Sequence, residues 1–240
     1  MPVPLLDGSG RVGLVMGAGG GIGSATVILL QQTGVRVMAF DRVHALGDAS
    51  TTGDATREKD VQRVVERTLD ELGRLDFVVH AVGVVGSGRL VEQGRDEWSE
   101  GLDVNLTSAF LLARTVHPAL RQSQGALALI ASTNGRNGGT AVSGPAYAVA
   151  KAGIINLTRY LAKEWAPDGI RTNCIMPGPV ATPMLDRLSR EEHLALESSI
   201  PLGRCTEARE VAASIAFLFS HHAASITGAC LNISGGLVLD

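Results

Sequence analysis

Tyr147 and Lys151 stand four residues apart in Ser143-Gly144-Pro145-Ala146-Tyr147-Ala148-Val149-Ala150-Lys151. On a helix that spacing puts a phenol and an ammonium on one face, one turn apart. An ammonium beside a phenol favours the phenolate, which lowers the tyrosine's pKa and lets it exchange protons nearer neutral pH. Gly144 can cap and Pro145 suits the first helical position, so a helix is expected from about Pro145 to Trp165. Any long helix also yields a Tyr-x-x-x-Lys by chance, with its lysine merely exposed. The pair therefore gains meaning only from what else the chain carries.

A second group does carry something. Gly17-Ala18-Gly19-Gly20-Gly21-Ile22-Gly23 lies between a strand expected over residues 11 to 16 and a helix expected over 24 to 33. Glycines let the backbone bend tightly and bring bare N–H groups against a pyrophosphate, and the helix start adds its positive end. Asp41 closes the next expected strand, Val35 to Phe40, 18 residues past Gly23. A carboxylate there can accept hydrogen bonds from the adenosine ribose and would repel a 2′-phosphate, which favours NAD over NADP. Arg42 beside it is the opposing sign, since an arginine can accommodate that phosphate.

These groups must be positioned by an ordered frame. The chain has 240 residues, 45% hydrophobic and 19% charged, with 29 glycines and only 4% aromatics. An aliphatic, glycine-rich balance suits parallel strands covered by helices on both faces. Further strands are expected at 51–53, 75–80, 126–131, 171–176 and 229–233. Helices are expected at 56–72 with Thr56 as cap, 96–121, and 207–219, with at most one helical turn in 42–50 and a glycine-, asparagine- and serine-rich loop after residue 131. Strands and helices alternate, so the expected architecture is one α/β domain over 1–240, a Rossmann-type doubly wound parallel sheet of about seven strands. Residues 183 to 200 read as a partly helical excursion over the site.

Net charge is −3 with no basic block, which offers nothing to nucleic acid. Cys174, Cys205 and Cys230 are widely spaced, with no metal-ligand pattern, and read as small buried hydrophobes in a reducing compartment. No apolar run has the length of a membrane span, and the N-terminus lacks a signal-peptide pattern, so a cytoplasmic protein without a metal is expected.

The glycine turn, Asp103-Val104-Asn105, Ser132, Tyr147-x-x-x-Lys151 and Pro177-Gly178-x-x-x-Thr182 follow one another in a single order. Together, over essentially the whole chain, they resemble the short-chain dehydrogenase/reductase superfamily. The likeness is greatest to the group that holds 3-ketoacyl reductases and NAD-dependent secondary-alcohol dehydrogenases. The resemblance implies a catalytic set of Asn105, Ser132, Tyr147 and Lys151. Tyr147 would be the general acid/base, Ser132 would hold the substrate oxygen, Lys151 would hold the nicotinamide ribose and tune Tyr147, and Asn105 would hold a relay water. It also implies cofactor contacts from Gly17, Gly19, Gly20, Gly21, Ile22, Gly23, Asp41 and Arg42. Asp54 and Ala55 would line the adenine pocket, Ala81 and Gly83 would meet the cofactor, and Pro177, Gly178, Val180 and Thr182 would fix the nicotinamide. Relatives of this kind are commonly tetramers that pair through the helices at about 104–121 and 145–165.

The chain departs from the pattern in four places. Met16 stands for the usual Thr, and His80-Ala81-Val82-Gly83 for the usual Asn-Asn-Ala-Gly; His80 is expected to be a satisfied structural residue. The helix between the second and third strands is cut short. The segment between Ser132 and Tyr147 is long, which would let Asn134, Arg136, Asn137 and Ser143 touch substrate. Met184 and Leu185 on the 183–200 excursion are expected to supply apolar substrate contacts. The leading expectation is an NAD(H)-dependent oxidoreductase interconverting a small secondary alcohol and a ketone. The alternatives are an NADPH-dependent 3-ketoacyl reductase and, from another class, a non-catalytic nicotinamide-binding regulator.

Overall fold

The computed structural model describes residues 6–239. Strands β1 (Val12–Met16), β2 (Arg36–Asp41), β3 (Ala49–Thr52), β4 (Phe77–His80), β5 (Ala126–Ile130) and β6 (Arg171–Pro177) are followed by a short pair, β7 (Val180–Ala181) and β8 (Thr206–Glu207), and by β9 (Cys230–Ile233). Seven of them form one parallel sheet in the order β3-β2-β1-β4-β5-β6-β9, as the alternation of elements predicts. The β7–β8 pair was not foreseen; two residues per strand leave no periodicity to read.

Helices cover both faces. α1 (Gly21–Gln32) and α8 (Ala208–Phe219) lie on one face, while α2 (Glu58–Leu72), α4 (Ser108–Ser123) and α6 (Pro145–Trp165) lie on the other. Side chains alternate across a strand, so each strand feeds both layers. Leu14 and Met16 of β1 join Val61, Leu112 and Ile154, whereas Val15 joins Val27, Leu30 and Ile215. Both faces are therefore dry, and the strands read as unbroken aliphatic runs rather than alternating ones.

The strand order reverses between β1 and β4, and the crevice beyond their carboxyl ends is where such sheets take ligands. Gly17 follows β1 there and Ala81 follows β4. Residues 42–48 contain no helix. Instead the Asp48 carboxylate accepts from the Val37 N–H at 2.8 Å and the Gln31 amide at 2.9 Å, tying the connection down without a helical face to bury.

Other details differ from expectation. α1 begins at Gly21, earlier than the predicted Ser24, so two glycines sit in its first turn. Thr56 does not cap α2; its hydroxyl goes to Asp54 Oδ1 at 2.7 Å, and Arg57 takes the cap position. The long helical region is broken into α3 (Arg95–Leu102), a π turn at Asp103–Thr107 and α4. A one-turn helix, α5 (Asn134–Asn137), interrupts the predicted loop and packs on α6; a Cβ on Gly135 would lie 2.5 Å from the Lys151 backbone. α7 (Arg190–Ser198) carries the lid segment, with Ser189 and Glu192 in a reciprocal cap. Among the described residues no helix is long and apolar enough to cross a membrane, and no cluster of three or more His, Cys, Asp or Glu side chains is arranged to hold a metal.

Candidate active site

A cleft of about 330 Å³ opens at the sheet's switch point. Gly17, Gly19, Gly20, Asp41, Arg42, Asp54, Ala55, Ala81 and Gly83 line it, all of them among the predicted cofactor residues. Phe40, Val43, Thr56, Val82, Val84 and Val104 line it too and were missed. In sequence these are indistinguishable from core residues and strand ends.

The glycine turn is built by close approach. Gly17 and Ala18 both donate their N–H groups to the Phe40 carbonyl, at 2.8 and 3.1 Å. Gly17 has φ +86°, and a Cβ there would lie 2.6 Å from the Ala81 carbonyl carbon. A Cβ on Gly23 would lie 2.0 Å from the Gly17 oxygen. No side chain caps α1 and no acid occupies its first turn, so its leading N–H groups face the cleft with their positive dipole uncompensated. Ile22 packs its side chain on the α1–α8 core, which leaves only its backbone for a cofactor.

Asp41 ends β2 beside this turn. Its Oδ2 accepts from the Gly19 N–H at 2.9 Å and its Oδ1 from the Arg42 N–H at 2.7 Å. A Cβ on Gly19 would crowd this bond, lying 3.1 Å from the carboxylate carbon and 3.0 Å from the Val43 side chain. The Arg42 guanidinium turns to Asp54 at 3.2 Å, away from Asp41. Partial burial pushes the Asp54 carboxyl up, but the Thr56 N–H and hydroxyl, together with Arg42, outweigh it and hold it below the usual range.

The segment 177–182 closes over the glycine turn from the other side. Gly178 donates to Ile233 at 3.0 Å, and the Pro177 carbonyl accepts from Thr133 at 3.0 Å. Val180 is buried and pairs with Thr206. Thr182 rests directly on Gly21, whose Cβ would lie 2.4 Å from the threonine methyl.

The predicted catalytic residues do not line this cleft; they lie behind its Gly83 wall. A Cβ on Gly83 would stand 3.0 Å from Asn105 Oδ1 and 3.3 Å from Lys151 Nζ, so the Gly83 backbone packs closely against an amide and an ammonium. Asn105, fully buried in the π turn, donates to the Gly101 and Val84 carbonyls at 2.9 and 3.0 Å and accepts from the Val84 N–H at 3.2 Å. Its side chain is thus committed to clamping the strand-end loop. Ser132 is buried just past β5, and Tyr147 projects from α6 after Gly144, at φ +73°, and Pro145 at the first helical position.

The expected tuning of Tyr147 by Lys151 is corrected. Burial pushes the Tyr147 phenol above its ordinary pKa; the Ser132 hydroxyl and the Arg187 guanidinium pull it back in part. The Lys151 ammonium lies 5.6 Å from the centre of the Tyr147 ring and donates to the Ile130 carbonyl at 2.8 Å. Burial brings its own pKa down to about 8. The hydrogen bond of the ammonium thus goes to the Ile130 carbonyl. Arg187, which no motif in the sequence marks, contributes a smaller pull in the same direction as Ser132.

His80 behaves as a structural residue. It is fully buried, with Nε2 2.8 Å from the Ser108 hydroxyl, which itself donates to the Val104 carbonyl at 2.6 Å. That leaves Nε2–H as the donor, and Nδ1 has no partner among the described residues. Burial first, and the Lys151 charge second, lower its pKa to about 3, so it stays neutral. Asn134 sits at the start of α5 and donates its N–H to Ser132 Oγ at 3.2 Å. Met184 and Leu185 lie in a one-turn 3₁₀ helix of the lid, Met184 well exposed.

Comparison with known proteins agrees with this arrangement. Residues 17–238 match a family model described as enoyl-(acyl carrier protein) reductase. The 3-oxoacyl-[acyl-carrier-protein] reductase FabG of Vibrio cholerae is 33% identical, over 96% of this chain and 98% of its own. Of the solved structures, gox2181 superposes with a TM-score of 0.91 at 29% identity, over 95% of this chain and 96% of its own. The ligand-free aldohexose dehydrogenase AldT of Thermoplasma acidophilum gives 0.90 at 26%, over 97% and 94%. The chain belongs to the short-chain dehydrogenase/reductase superfamily, whose enzymes oxidise CH–OH or reduce C=O groups with a nicotinamide cofactor.

Proposed function

We propose that the chain reduces the ketone of a 3-oxoacyl thioester to the secondary alcohol, with NAD(H) favoured over NADP(H). The observation that carries the chemistry is the grouping of Tyr147 with Ser132, and of Lys151 with Asn105, behind Gly83, which lines the glycine-walled cleft. The thioester is supported by the full-length likeness to a 3-oxoacyl-[acyl-carrier-protein] reductase, which moves the reading from an unspecified alcohol to this substrate. NAD(H) is supported by Asp41 at the ribose end and by an Arg42 already turned to Asp54. The residues fit such a cofactor: every glycine of the turn that would obstruct it lacks a Cβ, and α1 offers its open N-terminus to the pyrophosphate. When bound, the nicotinamide supplies or accepts the hydride.

The chain's own residues handle the proton. Ser132 donates to the ketone oxygen and stabilises the charge that develops there. Tyr147, kept protonated at neutral pH by its raised pKa, is suited to give that oxygen its proton, the role needed for reduction. Lys151 keeps a positive charge near the phenol below about pH 8. Asn105 fixes the loop at Val84 and packs beside Gly83, next to Lys151.

The test is acetoacetyl-CoA with NADH, followed by nicotinamide absorbance. Tyr147→Phe is expected to lose about 10²–10⁴-fold in turnover while cofactor still binds. Undiminished turnover would remove Tyr147 from the role, and a wild type that oxidises simple alcohols but ignores the thioester would remove the substrate. The tyrosine and lysine are both present, which counts against a non-catalytic regulator. We also propose a homotetramer paired through α4 and α6, on which Phe110 and Tyr160 stay 47% and 62% exposed. A monomeric mass by light scattering would contradict it.

A further inference from the structure

Cys174 and Cys230 are far apart in sequence, and the sheet brings them side by side. They are register partners on β6 and β9, where the Cys174 N–H donates to the Ala229 carbonyl at 2.9 Å. Register partners in a parallel pair project to the same face of the sheet. Both side chains accordingly belong to the core layer that includes α6. Neighbouring strands run about 4.7–4.9 Å apart, which lies inside the ~4.4–6.8 Å that a disulfide spans between Cα atoms. Cys205, the third cysteine, precedes β8 and belongs to neither strand.

The two thiols are not equivalent. Their sulfurs are hydrogen-bonded, with the Cys174 S–H as donor. That bond and burial push the Cys174 thiol far above its ordinary pKa, and the Thr158 hydroxyl and Arg159 guanidinium of α6 pull it back only in part. Cys174 therefore stays protonated, and the sulfur that ionises is Cys230, whose thiolate accepts from the Cys174 S–H. Exposure follows the same split. Cys174 is fully buried, whereas Cys230 is half-buried on the edge strand of the sheet. One thiol is placed to meet a small oxidant, and the other to displace what that oxidant leaves.

We propose that Cys174 and Cys230 form a dithiol site that hydrogen peroxide closes reversibly to a disulfide. The Cys230 thiolate attacks one peroxide oxygen, the O–O bond breaks, and the hydroxide that leaves takes a proton to become water. The Cys174 sulfur then attacks the sulfur of the Cys230 sulfenic acid; the S–O bond breaks, and the departing hydroxyl takes the Cys174 proton as a second water. Two thiols lose two electrons and two protons, and one peroxide becomes two waters. Strand side chains stand roughly perpendicular to the sheet, so the Cβ atoms keep about the strand spacing, wider than the ~3.8 Å of a relaxed disulfide. Closing the bond draws β6 and β9 together and stores strain, which leaves the bond open to reduction by a thiol. The pull falls just before the Gly178 N–H to Ile233 carbonyl bond of 3.0 Å, which anchors segment 177–182. In a reducing compartment such a bond is transient and reports on oxidant.

The experiment treats reduced wild type with hydrogen peroxide at doses that oxidise free cysteine completely. The protein is then unfolded and alkylated with N-ethylmaleimide, and intact mass and peptide mapping follow. Untreated protein is expected to take three labels, one per cysteine. Oxidised protein is expected to lose two of them, keep the label on Cys205, weigh two hydrogens less and yield a Cys174–Cys230 cross-linked peptide. Dithiothreitol is expected to restore all three labels. With dimedone present, Cys174→Ser is expected to carry the adduct at Cys230, whereas Cys230→Ser leaves Cys174 unmodified. Full labelling after peroxide overturns the proposal. So does a cross-link through Cys205, a dimer joined at Cys230, an adduct at Cys174 in Cys230→Ser, or a modification that dithiothreitol does not reverse. The wild-type mapping decides the matter alone if a serine variant fails to fold.

Discussion

Replacing Asp41 by serine should convert cofactor preference, and the size of the change comes from the hydrogen bonds around the carboxylate. A carboxylate has about four lone-pair positions. The Gly19 N–H occupies one on Oδ2, while the Arg42 N–H and, at 3.4 Å, the Val43 N–H take Oδ1, which leaves Oδ2 the freer oxygen for a ribose hydroxyl. Losing a charge-assisted bond to the 2′-hydroxyl costs about 1.5–3 kcal/mol. For NADPH the same change relieves a like-charge contact, on the order of 3–4 kcal/mol for charges about 4–5 Å apart near a surface and less where solvent enters. Arg42 can then leave Asp54 for the phosphate. Their pair is 3.2 Å long with the arginine 58% exposed, so releasing it costs under about 1 kcal/mol. The NADH-to-NADPH ratio of kcat/KM should therefore fall by at least about 10²-fold. A serine hydroxyl can still accept from Gly19, so the melting temperature should barely move. The assay is initial rates with each cofactor at fixed ketone. A ratio that stays within about threefold of wild type would refute the assignment of Asp41 as selector.

The acid limb of stability provides a further prediction. His80 has a native pKa of about 3 against an ordinary 6.5, so between those values the unfolded chain takes up a proton that the native chain does not. Its contribution to stability is complete above about pH 6.5 and is lost on acidification, at up to about 1.4 kcal/mol per pH unit. His80→Asn, whatever its offset at neutral pH, should gain on the wild type as pH falls from 6.5 toward 4.5 in urea unfolding. A difference that stays constant over that range would mean His80 is not buried neutral.

The periodic parts of the chain were legible in advance. Both N- and C-terminal ends of α6 match the sequence expectation, because Gly144-Pro145 and the Gly169 region punctuate it unambiguously. The glycine turn and Asp41 could be read because strand, glycines and acid stand in fixed order. The π turn was hidden, since Asp103–Thr107 holds no glycine or proline to mark a break in the helical region. Thr56 reads as a helix cap, yet Asp54 two residues before it captures the hydroxyl. The lysine's expected effect on Tyr147 failed for a similar reason. Spacing says which side chains share a face, but a carbonyl from β5, 21 residues away in sequence, decides where the ammonium points. Arg187 carries no signal at all, because its contact with the Val142 carbonyl exists only in the folded chain.

The π turn at Asp103–Thr107 works as a phase slip. One surplus residue rotates the downstream helix by about 100° relative to the upstream one. Upstream, α3 buries no side chain and leans on α6; downstream, α4 buries Ala109, Leu112, Val116 and Leu120 against the sheet layer. A single rod thereby serves two walls that an unbroken helix could not address together. Asn105 sits at the slip itself, where its amide ties both the Gly101 turn and the Val84 loop to the joint.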